Sequence, residues 1–412
     1  MNDRPLAGRT VVDLTTALAG PYATLLLAGL GATVIKVENP ATGGDPARGN
    51  APYVGRDGLR LSREADDDLS VSMLVRGRDK LSVTLDLKQD RGRAVFADLV
   101  RDADVLVENY SPGVTERLGI DHATVRGINP RLVYTSISGF GAQGGPGSGK
   151  AMDTIVQALS GIMYTAGRPD DDPVRFGLPV ADLLAPLFAV IGTVAALPVA
   201  DRTGQGQHVD VSMLGTLTSL VACEPFEALE RVGIPQRTGP VVPRLAPFGV
   251  LPAADGHLAL CAPVDSFAHG VFRAIGRPEL VDDPRFGTRD ARVRHADELH
   301  DTLARWCRRR PVAEAVEALT AAGVPAAEVR TPQRAVRDPL VRDREEVVPV
   351  PHPEHGDLDE LLTTGVPIRF SDSRASLDSP APRLGEHNDH VYGGLLGYSA
   401  DEIADLTAHA VI

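Results

Sequence analysis

The residue best placed for covalent chemistry is Asp182, in the run Arg175-Phe176-Gly177-Leu178-Pro179-Val180-Ala181-Asp182-Leu183-Leu184. A Gly/Pro turn leads into it, and no charged residue follows from Leu183 to Ala200. This pattern places the only carboxylate of the neighbourhood in the first turn of a long apolar helix. Unpaired backbone N–H groups and the positive end of the helix dipole favour a negative charge there. The position also has a purely structural use, since Asp at a helix start commonly caps it. Taken alone, the window favours the cap.

Two phosphate-loop patterns lie together after a strand. Gly139-Phe140-Gly141-Ala142-Gln143-Gly144 matches the dinucleotide pattern, and Gly144 to Gly149 followed by Lys150 nearly matches the nucleotide triphosphate loop. Both fail on context. A triphosphate loop needs Ser or Thr after its Lys to hold magnesium, and that residue is Ala151. The dinucleotide fingerprint belongs on the first strand–helix turn, whereas this one is mid-chain. What survives is a Gly-rich loop that lets backbone approach a ligand, with Lys150 available to a phosphate. The eleven histidines form no HExxH pair, and His352 and His355 lack partners at ligand spacing, so no metal is expected. No Gly-x-Ser-x-Gly elbow supports a serine hydrolase.

The elements that must carry these residues begin with Arg9–Leu14 as strand, Tyr22–Leu30 as helix closed by Gly31, and Thr33–Glu38 as strand, a βαβ opening. Residues 40–80, rich in Gly, Asp and Arg, read as a long surface loop, partly mobile. The rhythm then resumes with strands at Ser82–Leu87, Asp104–Glu108, Leu132–Ser136 and His208–Ser212, and helices at Asp90–Asp102, Val114–Leu118, Ala151–Gly161 and Gly215–Arg231. An α/β class with an open, doubly wound parallel sheet follows. Asp255-Gly256 marks a hairpin between Phe248–Pro252 and His257–Leu260. Helical patterns at Ser266–Ile275, Asp297–Arg308 and Val312–Ala322 then complete a small α+β domain. The expected division is a large domain over 1–222, a linker over 223–247, the small domain over 248–330 and a second linker over 331–350. The large domain then ends over 351–412, with Gly365–Phe370 as strand and Ala400–Ala408 as helix.

Composition bounds the partners. A length of 412 residues suits two domains, and a formal charge of −13 argues against nucleic acid or an anionic membrane. Cys223, Cys261 and Cys307 are odd in number and widely spaced, which points to free thiols in a reducing cytosol. The polar N-terminus shows no signal peptide. Residues 183–200 are long enough to span a membrane, but Pro186, Gly192 and Pro198 interrupt them, so a buried helix is expected.

Several blocks, in order, carry a resemblance. They are Ala19-Gly20-Pro21, Leu30-Gly31-Ala32-Thr33-Val34-Ile35-Lys36-Val37-Glu38, Leu81-Ser82-Val83-Thr84-Leu85-Asp86-Leu87-Lys88 and Ala103-Asp104-Val105-Leu106-Val107-Glu108-Asn109-Tyr110. Pro112-Gly113, Arg117-Leu118-Gly119, Thr203-Gly204-Gln205-Gly206-Gln207 and Leu384-Gly385-Glu386-His387 extend the match nearly end to end. Together the blocks resemble the class III coenzyme A transferase family, which includes formyl-CoA transferase, carnitine CoA-transferases and α-methylacyl-CoA racemases. The resemblance implies a Rossmann-like large domain built from both chain ends, a small domain between them, and two interlocked subunits. It moves Asp182 from cap to catalyst, since Asp182 falls on the family's active-site aspartate. It also places Leu85, Lys88, Asn109, Ser111, Arg117 and Lys150 where relatives contact CoA. The cations Lys88, Arg117 and Lys150 suit the phosphates of CoA on an otherwise acidic chain.

The racemases of this family resemble Gly-His-Asp where this chain has Ala151-Met152-Asp153. Met152 cannot move a proton, so transfer is favoured over racemization. Formyl-CoA transferase has Gln where this chain has Leu18, which argues against formate and oxalate as substrates. The expected activity exchanges CoA between an acyl-CoA and a carboxylic acid through an aspartyl anhydride and an aspartyl-CoA thioester, with no tightly bound cofactor. Helix-start N–H groups would serve the developing oxyanions. The acyl pocket is expected to draw on the small domain and on 233–247, where Arg237 and Arg244 are candidates for a second carboxylate. A non-catalytic acyl-CoA binder and a nucleotide-dependent enzyme using the 139–150 glycines are the readings from other classes.

Overall fold

The structure is a computed structural model that describes residues 4–145 and 151–412. The chain forms two compact units, one made of 1–160, 176–220 and 336–412, the other of 161–175 and 221–335.

The first unit is built on six parallel strands: β1 (Thr10–Asp13), β2 (Thr33–Glu38), β3 (Lys80–Thr84), β4 (Val105–Glu108), β5 (Val133–Ser138) and β6 (His208–Ser212). Their order across the sheet is β3-β2-β1-β4-β5-β6, that of the doubly wound nucleotide-binding folds. The strands read as continuous apolar runs because helices cover both faces of a parallel sheet. Alternate residues of β1 show it: Val12 joins a core with Val83, Phe96 and Leu106, while Val11 joins another with Leu27, Val34 and Leu197. The reversal of strand order between β1 and β4 opens a crevice at the carboxyl ends of the strands, where such folds bind ligands. The chain's end packs into the same unit, with the Tyr392 hydroxyl donating to the Thr84 carbonyl at 2.7 Å.

The second unit carries an antiparallel sheet of Phe248–Pro252, His257–Cys261 and Ala326–Glu328 against helices Asp265–Ala274, Ala296–Cys307 and Val312–Ala321. Phe248 pairs with Cys261 and Pro252 with His257, the hairpin expected around Asp255-Gly256.

Three expectations are corrected. Residues 40–80 are not a bare loop: Tyr53–Gly55, Gly58–Arg60 and Leu69–Ser70 form a small antiparallel sheet, and helix Val71–Arg76 follows. Strands of two or three residues are too short for their alternation to register in a polar sequence. No strand forms over Gly365–Phe370; the hairpin is instead Val347–His352 with Gly356–Thr364, whose second strand is mostly polar because it faces solvent. The Asp182 helix, Val180–Thr203, is only partly buried within the chain. Its small residues Ala181, Ala185, Ala189 and Ala196 are covered, while Ile191 is 63% exposed and Phe188 43%. An evenly apolar helix carries no periodicity to tell the covered side from the open one.

Candidate active site

Asp182 is the third residue of its helix, and the residue before the helix, Pro179, makes no side-chain cap. The cap comes from elsewhere. Asp153, first residue of the helix Asp153–Leu159, accepts a hydrogen bond from the Ala181 N–H at 2.9 Å through Oδ1. Its Oδ2 accepts from Gln157 Nε2 at 2.7 Å. Gln157, fully buried, receives the Phe176 N–H on its Oε1 at 2.9 Å and donates to the Leu178 carbonyl at 3.2 Å. Asp153 and Gln157, one turn apart, thus clamp both the Gly/Pro turn and the helix start.

The consequence is chemical. With the capping role filled by Asp153, the Asp182 carboxylate accepts no hydrogen bond from the described residues. Its sequence setting as the only local carboxylate is likewise corrected, because Asp153 faces it across the helix start. Burial pushes the Asp182 carboxyl up to about 6, the Asp153 charge adds to the rise, and Arg76 opposes it. A half-buried, unbonded carboxylate with a raised pKa is a better nucleophile than a solvated one, and it is ionised at neutral pH. Of the helix-start donors, the Val180 N–H turns to the Leu178 carbonyl, Ala181 to Asp153 and Leu183 to the Pro179 carbonyl. The Asp182 N–H is left without a partner among the described residues.

A cavity of about 640 Å³ opens in the same unit, lined by Thr15, Glu38, Asp45, Leu85, Lys88 and Arg117, among others. Its position follows from the strand ends, since Leu85 and Lys88 come just after β3 and Thr15 just after β1. Lys88 and Arg117 are exposed on its wall, and neither forms an ion pair among the described residues. Leu85 is buried, its N–H bonded to the Glu38 carbonyl at 2.8 Å. Ser111 belongs to a neighbouring cavity of about 280 Å³, beside Glu108, Tyr134 and His208. Asn109 lies behind the cavity wall. Its Oδ1 accepts from the Thr16 N–H and its Nδ2 donates to the Thr16 carbonyl, both at 2.9 Å, so its amide holds the turn before the first helix, α1 (Ala19–Gly29). Lys150 lies outside the described residues.

Charges buried beneath this wall brace it. Lys80 pairs with Asp13 at 3.0 Å, and Lys36 with Asp45 at 2.8 Å. Asp45 Oδ1 also accepts from the Ala17 N–H at 3.0 Å and the Ala47 N–H at 2.8 Å. Ala17 has φ +67°, a conformation costly for a residue with a Cβ, and this hydrogen bond helps to hold it. Burying ions is expensive unless each is paired, so these pairs define the turn geometry more than they add stability. Sequence reasoning singled out none of Asp13, Asp45, Arg76 or Gln157. The Arg that ends the run Val71-Ser72-Met73-Leu74-Val75 was the visible signal for Arg76.

Of the two arginines expected near a second carboxylate, Arg244 is paired with Glu224 at 2.9 Å. Arg237 stacks over the Tyr164 ring at 5.1 Å and donates to the Pro169 carbonyl at 2.9 Å. Met152 is exposed and immediately precedes Asp153.

Residues 6–388 match the family described as CoA-transferase family III. The chain is 36% identical over 413 residues to succinyl-CoA–D-citramalate CoA-transferase of Chloroflexus aurantiacus, covering 99% of this chain and 98% of that one. It is 40% identical over 348 residues to acetyl-CoA:oxalate CoA-transferase of Acetobacter aceti, covering 82% and 86%. Among solved structures, a CAIB/BAIF family protein from Brucella suis superposes with TM-score 0.80 at 32% identity, covering 96% of this chain and all of that one.

Proposed function

The chain belongs to CoA-transferase family III and is a CoA-transferase acting on acyl-CoA and acid substrates; from that premise we propose that the exchange runs through covalent intermediates on Asp182. The observation that carries this reading is the division of labour at the helix start: Asp153 caps, and Asp182 is left half-buried, unbonded and ionisable.

The ionised Asp182 carboxylate attacks the carbonyl carbon of the donor thioester, the C–S bond breaks, and CoA leaves as thiolate. The product is a mixed anhydride between Asp182 and the donor acyl group. The thiolate then attacks the aspartyl carbonyl, releasing the donor acid as carboxylate and leaving an aspartyl-CoA thioester. An acceptor carboxylate attacks that thioester and expels the thiolate, which attacks the acceptor side of the new anhydride and regenerates Asp182. Each step exchanges one acyl bond for another, so no ATP, metal or redox partner is consumed. The free Asp182 N–H and the dipole of a helix of 24 residues face the charge that develops on the carbonyl oxygens.

The cavity beside Leu85, Lys88 and Arg117 is our site for CoA, with the two unpaired cations meeting its phosphates. Lys150 and Ser111 remain assigned to CoA by the family resemblance. Asn109 acts by fixing the Thr16 turn that forms the cavity wall. The acids in the names of the two relatives, citramalate and oxalate, are dicarboxylic, which favours a dicarboxylic acid as a substrate here. The open apolar side of the Asp182 helix supports a homodimer in which a second copy covers it; a monomer mass by sedimentation would exclude this. The free cysteines fit a cytoplasmic enzyme.

Incubating the protein with succinyl-CoA and a panel of dicarboxylic acids, followed by chromatography of the CoA esters, tests the assignment. New acyl-CoA species that Asp182→Ala fails to make are expected. If α-proton exchange in deuterated water occurs instead, without any new thioester, the protein is a racemase despite Met152.

A further inference from the structure

The mechanism above uses Asp182 and leaves a neighbouring cation without a task. Arg76 ends the helix Val71–Arg76, which packs on α1 and on the Pro46–Gly49 turn, and α1 in turn packs on the Asp182 helix. Its guanidinium is half-buried. Nε is shielded from solvent and has no hydrogen-bond partner, and no carboxylate lies within ion-pair distance among the described residues. The two acids whose charges act on it are committed elsewhere: Asp45 is held by Lys36 and by two backbone N–H groups, and Asp182 is the nucleophile of the mechanism above. Arg76 nevertheless sits close enough to both that their charges act on it, while burial depresses its pKa.

An Arg with a shielded donor left unspent is a costly arrangement, and a bound anion would relieve that cost. The planar fork of donors suits a carboxylate in particular. An acyl carbonyl bound at Asp182 brings its own acyl chain nearest to that carboxylate, and the Arg76 charge acts on the same carboxylate. The anion that reaches Arg76 is therefore carried by the acyl group or the acid.

We propose that Arg76 binds the distal carboxylate of a dicarboxylic acyl group while its thioester carbon reacts with Asp182, and so selects short dicarboxylic over monocarboxylic acyl chains. This rests on the transferase reading. It also replaces Arg237 and Arg244 as the candidates for that task, since Arg244 pairs with Glu224 and Arg237 lies over the Tyr164 ring and donates to the Pro169 carbonyl.

The test compares succinyl-CoA with butyryl-CoA, which has the same chain length without the distal charge, in wild type, Arg76→Met and Arg76→Lys. A charge-assisted pair lost from a desolvated site is worth about 10–100-fold. Arg76→Met should therefore lower kcat/KM for succinyl-CoA by about that factor and change butyryl-CoA by less than about threefold. Arg76→Lys, which keeps the charge and loses the fork, should fall between. Equal losses on both donors would overturn the proposal and assign Arg76 only to tuning Asp182. Wild type also reads it without any variant: the uncharged amide succinamyl-CoA should be about 10–100-fold poorer than succinyl-CoA, and equal rates would overturn it. If wild type transfers CoA from none of these donors, the reading of the substrate as a short dicarboxylic acyl group falls and takes this inference with it.

Discussion

Replacing Asp182, the nucleophile we propose, should make the protein more stable. Burial and Asp153 raise the Asp182 carboxyl from 3.8 to about 6 in the folded chain. A group raised on folding binds more protons in the native state than in the unfolded one between those two values. Stability therefore falls as pH rises from about 4 to about 6, and the loss is complete above the folded pKa. At about 1.4 kcal/mol per pKa unit, the ionised carboxylate costs the native state about 3 kcal/mol at pH 7.5. Asp182→Asn keeps the shape and removes the charge. It should raise the melting temperature at pH 7.5 by several degrees and match wild type near pH 4, while transfer is lost. Melting curves of both proteins at the two pH values decide the matter. A mutant no more stable than wild type at pH 7.5, or one stabilised equally at both, would refute the claim that Asp182 is held ionised against its surroundings.

The acid limb of kcat/KM should fall near pH 6, dropping about tenfold per pH unit below it, because only ionised Asp182 attacks; a limb near pH 4 would contradict this. Asp153→Asn, which removes the neighbouring charge and keeps an acceptor for the Ala181 N–H, should move that limb to lower pH, and Arg76→Met to higher pH, as pH–rate profiles will show. Asp153→Ala also removes the cap and the Gln157 partner, and should lower stability by about 1–3 kcal/mol in urea unfolding at neutral pH. Lys88→Ala and Arg117→Ala should each weaken CoA binding by titration calorimetry, more at low than at high salt, with kcat little changed; unchanged affinity would remove the cavity as the CoA site.

The parallel sheet was legible because each strand is an apolar run set off by turns, and the strands His208–Ser212 and Thr33–Glu38 have the expected bounds. Asp182 was visible but ambiguous, since an acid at a helix start serves cap and catalyst alike. The residue that takes the capping role is Asp153, which reaches the Ala181 N–H from 28 positions away, a contact no local pattern contains. Residues 40–80 hid Asp45 and Arg76 because short strands and turns in a polar, Gly-rich segment have no period to detect. The apolar helix reads as buried because it lacks charge, yet Phe188 and Ile191 stand exposed among the described residues. The resemblance offers Asn109 as a CoA contact, whereas its bonding to the Thr16 peptide depends on two strand ends meeting in the sheet.

The central claim is that Asp182 becomes covalently acylated. Incubation with succinyl-CoA, trapping with hydroxylamine or borohydride, and mass spectrometry of the peptide containing Asp182 tests it most directly. The account predicts a hydroxamate or an alcohol at Asp182 that depends on the donor and is absent in Asp182→Asn. CoA exchange that proceeds at full rate while Asp182 stays unmodified would contradict it.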